Sequence, residues 1–266
     1  MNRLPTLFLS HGSPDVAIAE TAATRFLRDL AVSLPRPKAI VVASAHFESD
    51  RVLLSADAKP DTIHDFGGFD PRLYDMRYPA PGDPELAEDL ARRLRGVGFD
   101  AAAVRQRGYD HGTWVPLILA YPEADIPVVQ LSVDPMAGPA HHLKLGQALS
   151  ALPSEDVLVI GSGSFTHNLR AAFTAMSGGR RDAEAPHWVV EFADWMREKI
   201  EAGDTEALVD YRTRAPFAVE NHPSDEHLMP LFVALGAAGD GGRVRRLHSS
   251  HDFGALAMDA YAFGDS

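Results

Sequence analysis

Twelve histidines in a chain of 266 residues that has no cysteine set the chemical question, because imidazole is the commonest side-chain ligand of transition metals. Three of them come after short apolar runs. His11 follows Leu7-Phe8-Leu9-Ser10, and His46 follows Val42-Ala43-Ser44-Ala45. His167 comes after Val157-Leu158-Val159-Ile160 and a turn of glycine and serine. Such runs read as buried strands, and in open α/β sheets ligands bind beyond the carboxyl ends of the strands. Histidines far apart in sequence can therefore meet there and suit Fe(II), Zn(II) or Mn(II). A fourth cluster, His222-Pro223-Ser224-Asp225-Glu226-His227, precedes an apolar stretch. Ser224 or Asp225 would cap a helix here, with His227 in its first turn and facing the site. Glu226 reads as a helix-dipole partner, or as the carboxylate of a two-histidine, one-carboxylate triad. His222 is a loop histidine or an alternative ligand.

Taken singly, each of these histidines has a plainer reading as a surface or packed side chain. Their joint placement after strands is what argues for a site. Ser10-His11-Gly12-Ser13-Pro14 and Gly161-Ser162-Gly163-Ser164-Phe165-Thr166-His167-Asn168 surround an imidazole with small residues, which let a substrate approach the backbone. His64 in His64-Asp65-Phe66-Gly67-Gly68-Phe69 and His111 in Tyr109-Asp110-His111-Gly112-Thr113-Trp114 are candidate substrate-side groups. The plainer alternative is that Asp110 or Thr113 caps a helix and His111 is exposed. Phe66, Phe69, Tyr74, Tyr78 and Trp114 would wall a flat apolar substrate or simply pack a loop down. His141-His142, His187, His248 and His251 read as solvated.

The elements that must position these groups alternate between strand and helix. Strands are expected at 7–9, 39–44, 52–56, 101–105, 127–133, 157–160 and 244–247. Helices are expected at 16–33, 83–97, 115–121, 141–152, 186–202, 206–212 and 226–238. Residues 57–81 have no period and read as a long functional loop. This alternation predicts an α/β fold, a mainly parallel or mixed central sheet covered by helices, formed as a single domain over residues 1–266.

Composition removes other chemistries. With no cysteine, thiolate metal sites, disulfides and cysteine nucleophiles are excluded. A net charge of −12 argues against nucleic acid and against anionic membrane surfaces as partners. No apolar run reaches the ~18 residues of a membrane span and no signal peptide is seen, so the expected location is the cytoplasm. A serine hydrolase elbow and a GxGxxG dinucleotide loop are both missing. The residue pattern leaves open a redox metalloenzyme, a zinc hydrolase and a non-catalytic binding protein.

Taken together, the motifs resemble the DODA-type, LigB-like extradiol aromatic ring-opening dioxygenases. The resemblance rests on the histidine segments around 11, 46, 64, 111 and 167, on Tyr78-Pro79-Ala80-Pro81-Gly82, on residues 127–134 and on Glu226-His227 with Pro230-Leu231. It implies that His11, His46 and His227 bind the metal. It implies that His167 is the catalytic acid/base and close enough to count as a fourth ligand, with His111 a second catalytic histidine near the substrate. The implied cofactor is Fe(II), with Zn(II) able to occupy the isolated protein. The implied partners are a small aromatic diol such as DOPA and O₂. A glutamate replaces the third histidine in the LigB branch, and His227 is favoured here because it continues into the Pro230-Leu231 pattern of the DODA-type branch.

Overall fold

The computed structural model describes residues 3–239 and 242–264; the other residues of the expected 1–266 unit lie outside the described residues. Ten strands are present there: β1 (Thr6–Ser10), β2 (Ala39–Glu48), β3 (Val52–Ser55), β4 (Ala101–Val104), β5 (Val128–Val133), β6 (Val157–Gly163), β7 (Val244–His248), β8 (His251–Asp252), β9 (Leu256–Ala257) and β10 (Ala260–Phe263). Eight of them form one sheet in the order β4-β3-β5-β2-β6-β1-β10-β7. Its centre is parallel, β5 to β2 to β6 to β1. β10 pairs antiparallel with β1, and β7 with β10. The sheet is mixed, within the expected class.

The central strands read as unbroken apolar runs because both faces of the sheet are covered. Along β2, Ile40 and Val42 enter one core with Leu7, Leu9 and Ile160, while Ala39, Val41 and Ala43 enter another with Leu90, Leu145 and Val159. Each large aliphatic side chain so buried contributes about 1.5–3 kcal/mol. The helices Ala22–Leu30 and His111–Ala120 cover the first face; Pro84–Gly96, Gly138–Ala148 and Met229–Ala238 cover the second.

Several boundaries differ from expectation. The helix expected over 16–33 breaks into Pro14–Ala17, Ala22–Leu30 and Ala31–Ser33, because Thr21 starts a new helix by accepting the Thr24 N–H at 3.0 Å. The helix expected at 226–238 begins at Met229. Asp225, a proposed cap, is instead taken by the Tyr211 hydroxyl at 2.9 Å and by Arg212, and Leu228 occupies the cap position. His227 therefore stands in the turn before the helix. Leu169–Ser177 and β10 are elements that the sequence reading did not single out.

Candidate active site

The parallel strands deliver their histidines to the carboxyl end of the sheet. His11 is the residue after β1, and His46 lies in the last turn of pleat of β2, where its pairing with β5 is irregular between Ala43 and Glu48. His227 is held by its carbonyl, which accepts the Ser164 N–H at 2.8 Å just beyond β6. The strand between them, β6, sets His11 as well, through His11 N–H to the Gly163 carbonyl at 3.0 Å.

The three imidazoles converge through the same atom. His46 Nε2 is 3.1 Å from His11 Nε2 and 3.2 Å from His227 Nε2. Their other nitrogens face oxygen. The Ser162 hydroxyl donates to the Gly112 carbonyl, so its oxygen is left to accept His11 Nδ1–H at 3.1 Å. Glu226 accepts His227 Nδ1–H at 2.8 Å. Asp65 Oδ2 lies 3.7 Å from His46 Nδ1. Three Nε2 atoms that meet, with two of the rings fixed from behind by an oxygen and the third facing one, are a donor set that suits a divalent metal. Burial, then the charges of neighbouring histidines, pushes His11 and His227 well below the usual histidine range. His46 is lowered to about 3, by burial and then by His111. The cluster is thus unprotonated at neutral pH and fits a metal ion.

Two further histidines complete the cleft. His167 stacks on His227 with 3.4 Å between ring centres, and its Nδ1 is 4.0 Å from Glu226. Burial, then His222 and His111, lowers it to about 3. The Asn168 side chain caps Leu169–Ser177, and His167 N–H bonds the Asn221 carbonyl at 2.8 Å, so the ring leaves a fixed backbone. His111 opens the His111–Ala120 helix, which Asp110 caps while also binding Ser44 and Arg107. His111 is buried, against the exposed alternative, and its ring centre is 3.9 Å from that of His46. Asp65 accepts both its backbone N–H at 3.0 Å and its Nδ1–H at 2.9 Å, which orients the ring and leaves Nε2 outside that pairing.

Other expectations need correction. His222 is not in the cluster; it is fully buried with Nε2 on the Phe165 carbonyl at 3.0 Å. Glu226 is no helix-dipole partner, since it precedes the helix and braces His227. His64 bonds the Met76 carbonyl and packs on Phe66 and Trp114, outside the cleft lining. His142 is not solvated: it is buried, bonding Gly138 O at 2.7 Å and the Asp134 N–H at 3.1 Å. Of the five aromatics, Phe66 and Phe69 line the cleft, while Tyr78 and Trp114 are core.

The cleft encloses about 250 Å³. A wider concavity of about 590 Å³, between Arg51, Phe99 and Lys144, lies against the other sheet face and contains none of these five histidines. Sequence reasoning missed Asp65 and Ser162 as partners of the histidines. It also missed Leu169, Phe173 and Met176 as cleft wall, although their i, i+4, i+7 spacing is a helical stripe that could have shown it.

Comparison with known proteins now gives the site a context. The family described as "Catalytic LigB subunit of aromatic ring-opening dioxygenase" matches residues 5–263. A 4,5-DOPA dioxygenase extradiol of Beta vulgaris is 43% identical over 262 residues, covering 97% of this chain and 96% of the relative. That of Escherichia coli K12 is 41% identical, covering 88% and 85%. The crystal structure of an uncharacterized protein from Escherichia coli K12 superposes with a TM-score of 0.80 at 31% identity, covering 98% of this chain and all of that one. No helix among the described residues is long and apolar enough to cross a membrane. The chain is thus an oxygen-incorporating oxidoreductase and belongs to the LigB family of aromatic ring-opening dioxygenases.

Proposed function

We propose that this enzyme opens a catechol ring beside, not between, its two hydroxyls, with DOPA as a candidate substrate, and that His11, His46 and His227 hold Fe(II). The convergence of three Nε2 atoms, each imidazole facing an oxygen at Nδ1, carries this reading. Zn(II) fits the same donors without redox chemistry. When bound, Fe(II) supplies the electron exchange between a catecholate and dioxygen.

The protein's own residues do the rest. His167 starts without a proton and is the base that takes one from a phenolic hydroxyl; the same ring returns it as the acid. Such proton transfers contribute roughly 10²–10⁴-fold in rate. Nothing bonds its ring nitrogens among the described residues, with Glu226 at 4.0 Å, so both are open to a substrate hydroxyl. His111, held through Nδ1 by Asp65, offers its Nε2 to a second hydroxyl. Phe66, Phe69 and Leu256 line the cleft with apolar surface and limit water there.

The test is oxygen uptake by protein stripped of metal, reloaded with Fe(II) under argon and given DOPA and other catechols. Uptake matched by a yellow product, and missing with Zn(II), is expected. Equal uptake with Zn(II), or none with any catechol, would overturn the proposal.

A further inference from the structure

Beyond the histidines, three segments far apart in sequence supply wall to the cleft: residues 12–14 after β1, the helix Leu169–Ser177, and Leu256 in β9. One side chain joins all three. Arg181 stands in the turn that leaves the helix, and its guanidinium bonds both Asp15, next to Pro14, and Asp252, the latter through Nη1 at 3.1 Å. Asp252 pairs with Leu256 between β8 and β9. The Arg181 carbonyl accepts the Phe253 N–H at 2.7 Å, and the guanidinium lies over the Phe253 ring, 4.6 Å from its centre. Ser13 donates to the other oxygen of Asp15, so that carboxylate is tied to the cleft wall on one side and to Arg181 on the other.

The helix needs such a tie. It buries only Ala172 and Ala175, while Leu169 and Phe173, which line the cleft, remain 45% and 48% exposed. An element with so little buried apolar surface opens readily unless its ends are held. Its leading end is held by Asn168, whose side-chain N–H donates to the Glu220 carbonyl at 2.7 Å. Its trailing end runs through Gly178-Gly179 and is held at Arg181. Asp252 is buried, and a buried carboxylate stripped of its partner is costly. A planar guanidinium serves two carboxylates with separate nitrogens, which a point charge does less well.

We infer that Arg181 is a positioning residue for the ring-opening reaction, a role that rests on the reading above. By tying residues 12–14 and the β8–β9 pair to the helix, it sets the width of the cleft and hence the grip on the catechol. Arg181 does not itself line the cleft and acts through Leu169, Phe173 and Met176. His167 keeps its own backbone bond to the Asn221 carbonyl, so proton transfer survives when the tie is cut.

Two variants test this. Asp15→Asn keeps the shape of the link and removes its charge; Arg181→Gln breaks both ion pairs. Hydrogen exchange is followed over residues 169–177, Kd for DOPA is measured calorimetrically with the Fe(II) enzyme under argon, and kcat is measured in air. Exchange should quicken and Kd should rise, each by about tenfold, the usual size of coupling between linked sites, while bound Fe(II) and kcat change little. Arg51→Gln, which breaks an exposed pair with Asp100, is the control and should alter neither. Unchanged exchange or unchanged Kd in both variants overturns the inference. So does exchange that quickens equally in the Pro84–Gly96 helix on the other face, since the ion pairs would then serve stability alone. If Arg181→Gln fails to fold, Asp15→Asn decides. If the unaltered enzyme opens no catechol, the proposed reaction fails, and exchange alone decides whether Arg181 holds the helix.

Discussion

Two imidazoles stacked at 3.4 Å between ring centres, His167 and His227, divide their roles by what their other atoms touch. His227 Nδ1 is committed to Glu226 at 2.8 Å, and its Nε2 points at His46. His167 has Glu226 only at 4.0 Å and keeps both nitrogens for proton traffic. His167→Ala should therefore bind its metal in full while kcat falls by roughly 10²–10⁴-fold. Metal content and single-turnover rates measured on the same sample check this. Full activity would remove the acid/base role, and loss of metal would make His167 a ligand instead.

At the scale of elements, the end of β6 is the keystone. Its Gly163 carbonyl fixes His11, and the next residue fixes His227. A Cβ at Gly163 would run into the His227 carbonyl. Gly163→Ala should weaken metal affinity by at least about tenfold, the range seen when groups that orient ligands are disturbed. Competition with a coloured chelator measures it, with Gly96→Ala, whose Cβ meets nothing, as the control; unchanged affinity at Gly163→Ala would contradict the role of the strand. The central strands were legible because burial on both faces writes an unbroken apolar run, and His11 and His46 stand at the ends of such runs. What escaped was set by distant partners. Asp225 caps nothing because Tyr211 and Arg212 take it. Asp65 meets His111 across 46 residues, a pairing that no local pattern announces. β10 is set by pairing with β1 and β7.

Across the whole molecule, burial of neutral imidazoles makes stability depend on pH. His142 and His222, both fully buried away from the metal cluster, are each lowered to about 4, chiefly by burial. Unfolded histidine titrates near 6.5. Above that value both states are neutral and no proton is exchanged on folding. Below it the unfolded chain takes up protons that the folded chain refuses, so stability is lost as pH falls from 6.5 toward 4. Each site is worth up to about 3 kcal/mol over that window. The urea midpoint of the metal-free protein should drop steeply there, and a flat midpoint would contradict this picture of the interior. The same dry interior frames the cleft in which O₂ and a catechol are to meet, and the most direct measurement is the structure of the product by NMR and mass spectrometry after turnover under O₂ by the Fe(II) enzyme. The account predicts a product heavier than the catechol by one O₂, carrying one aldehyde and one new carboxylate. A dicarboxylate from cleavage between the hydroxyls, or a quinone formed with hydrogen peroxide, would contradict it.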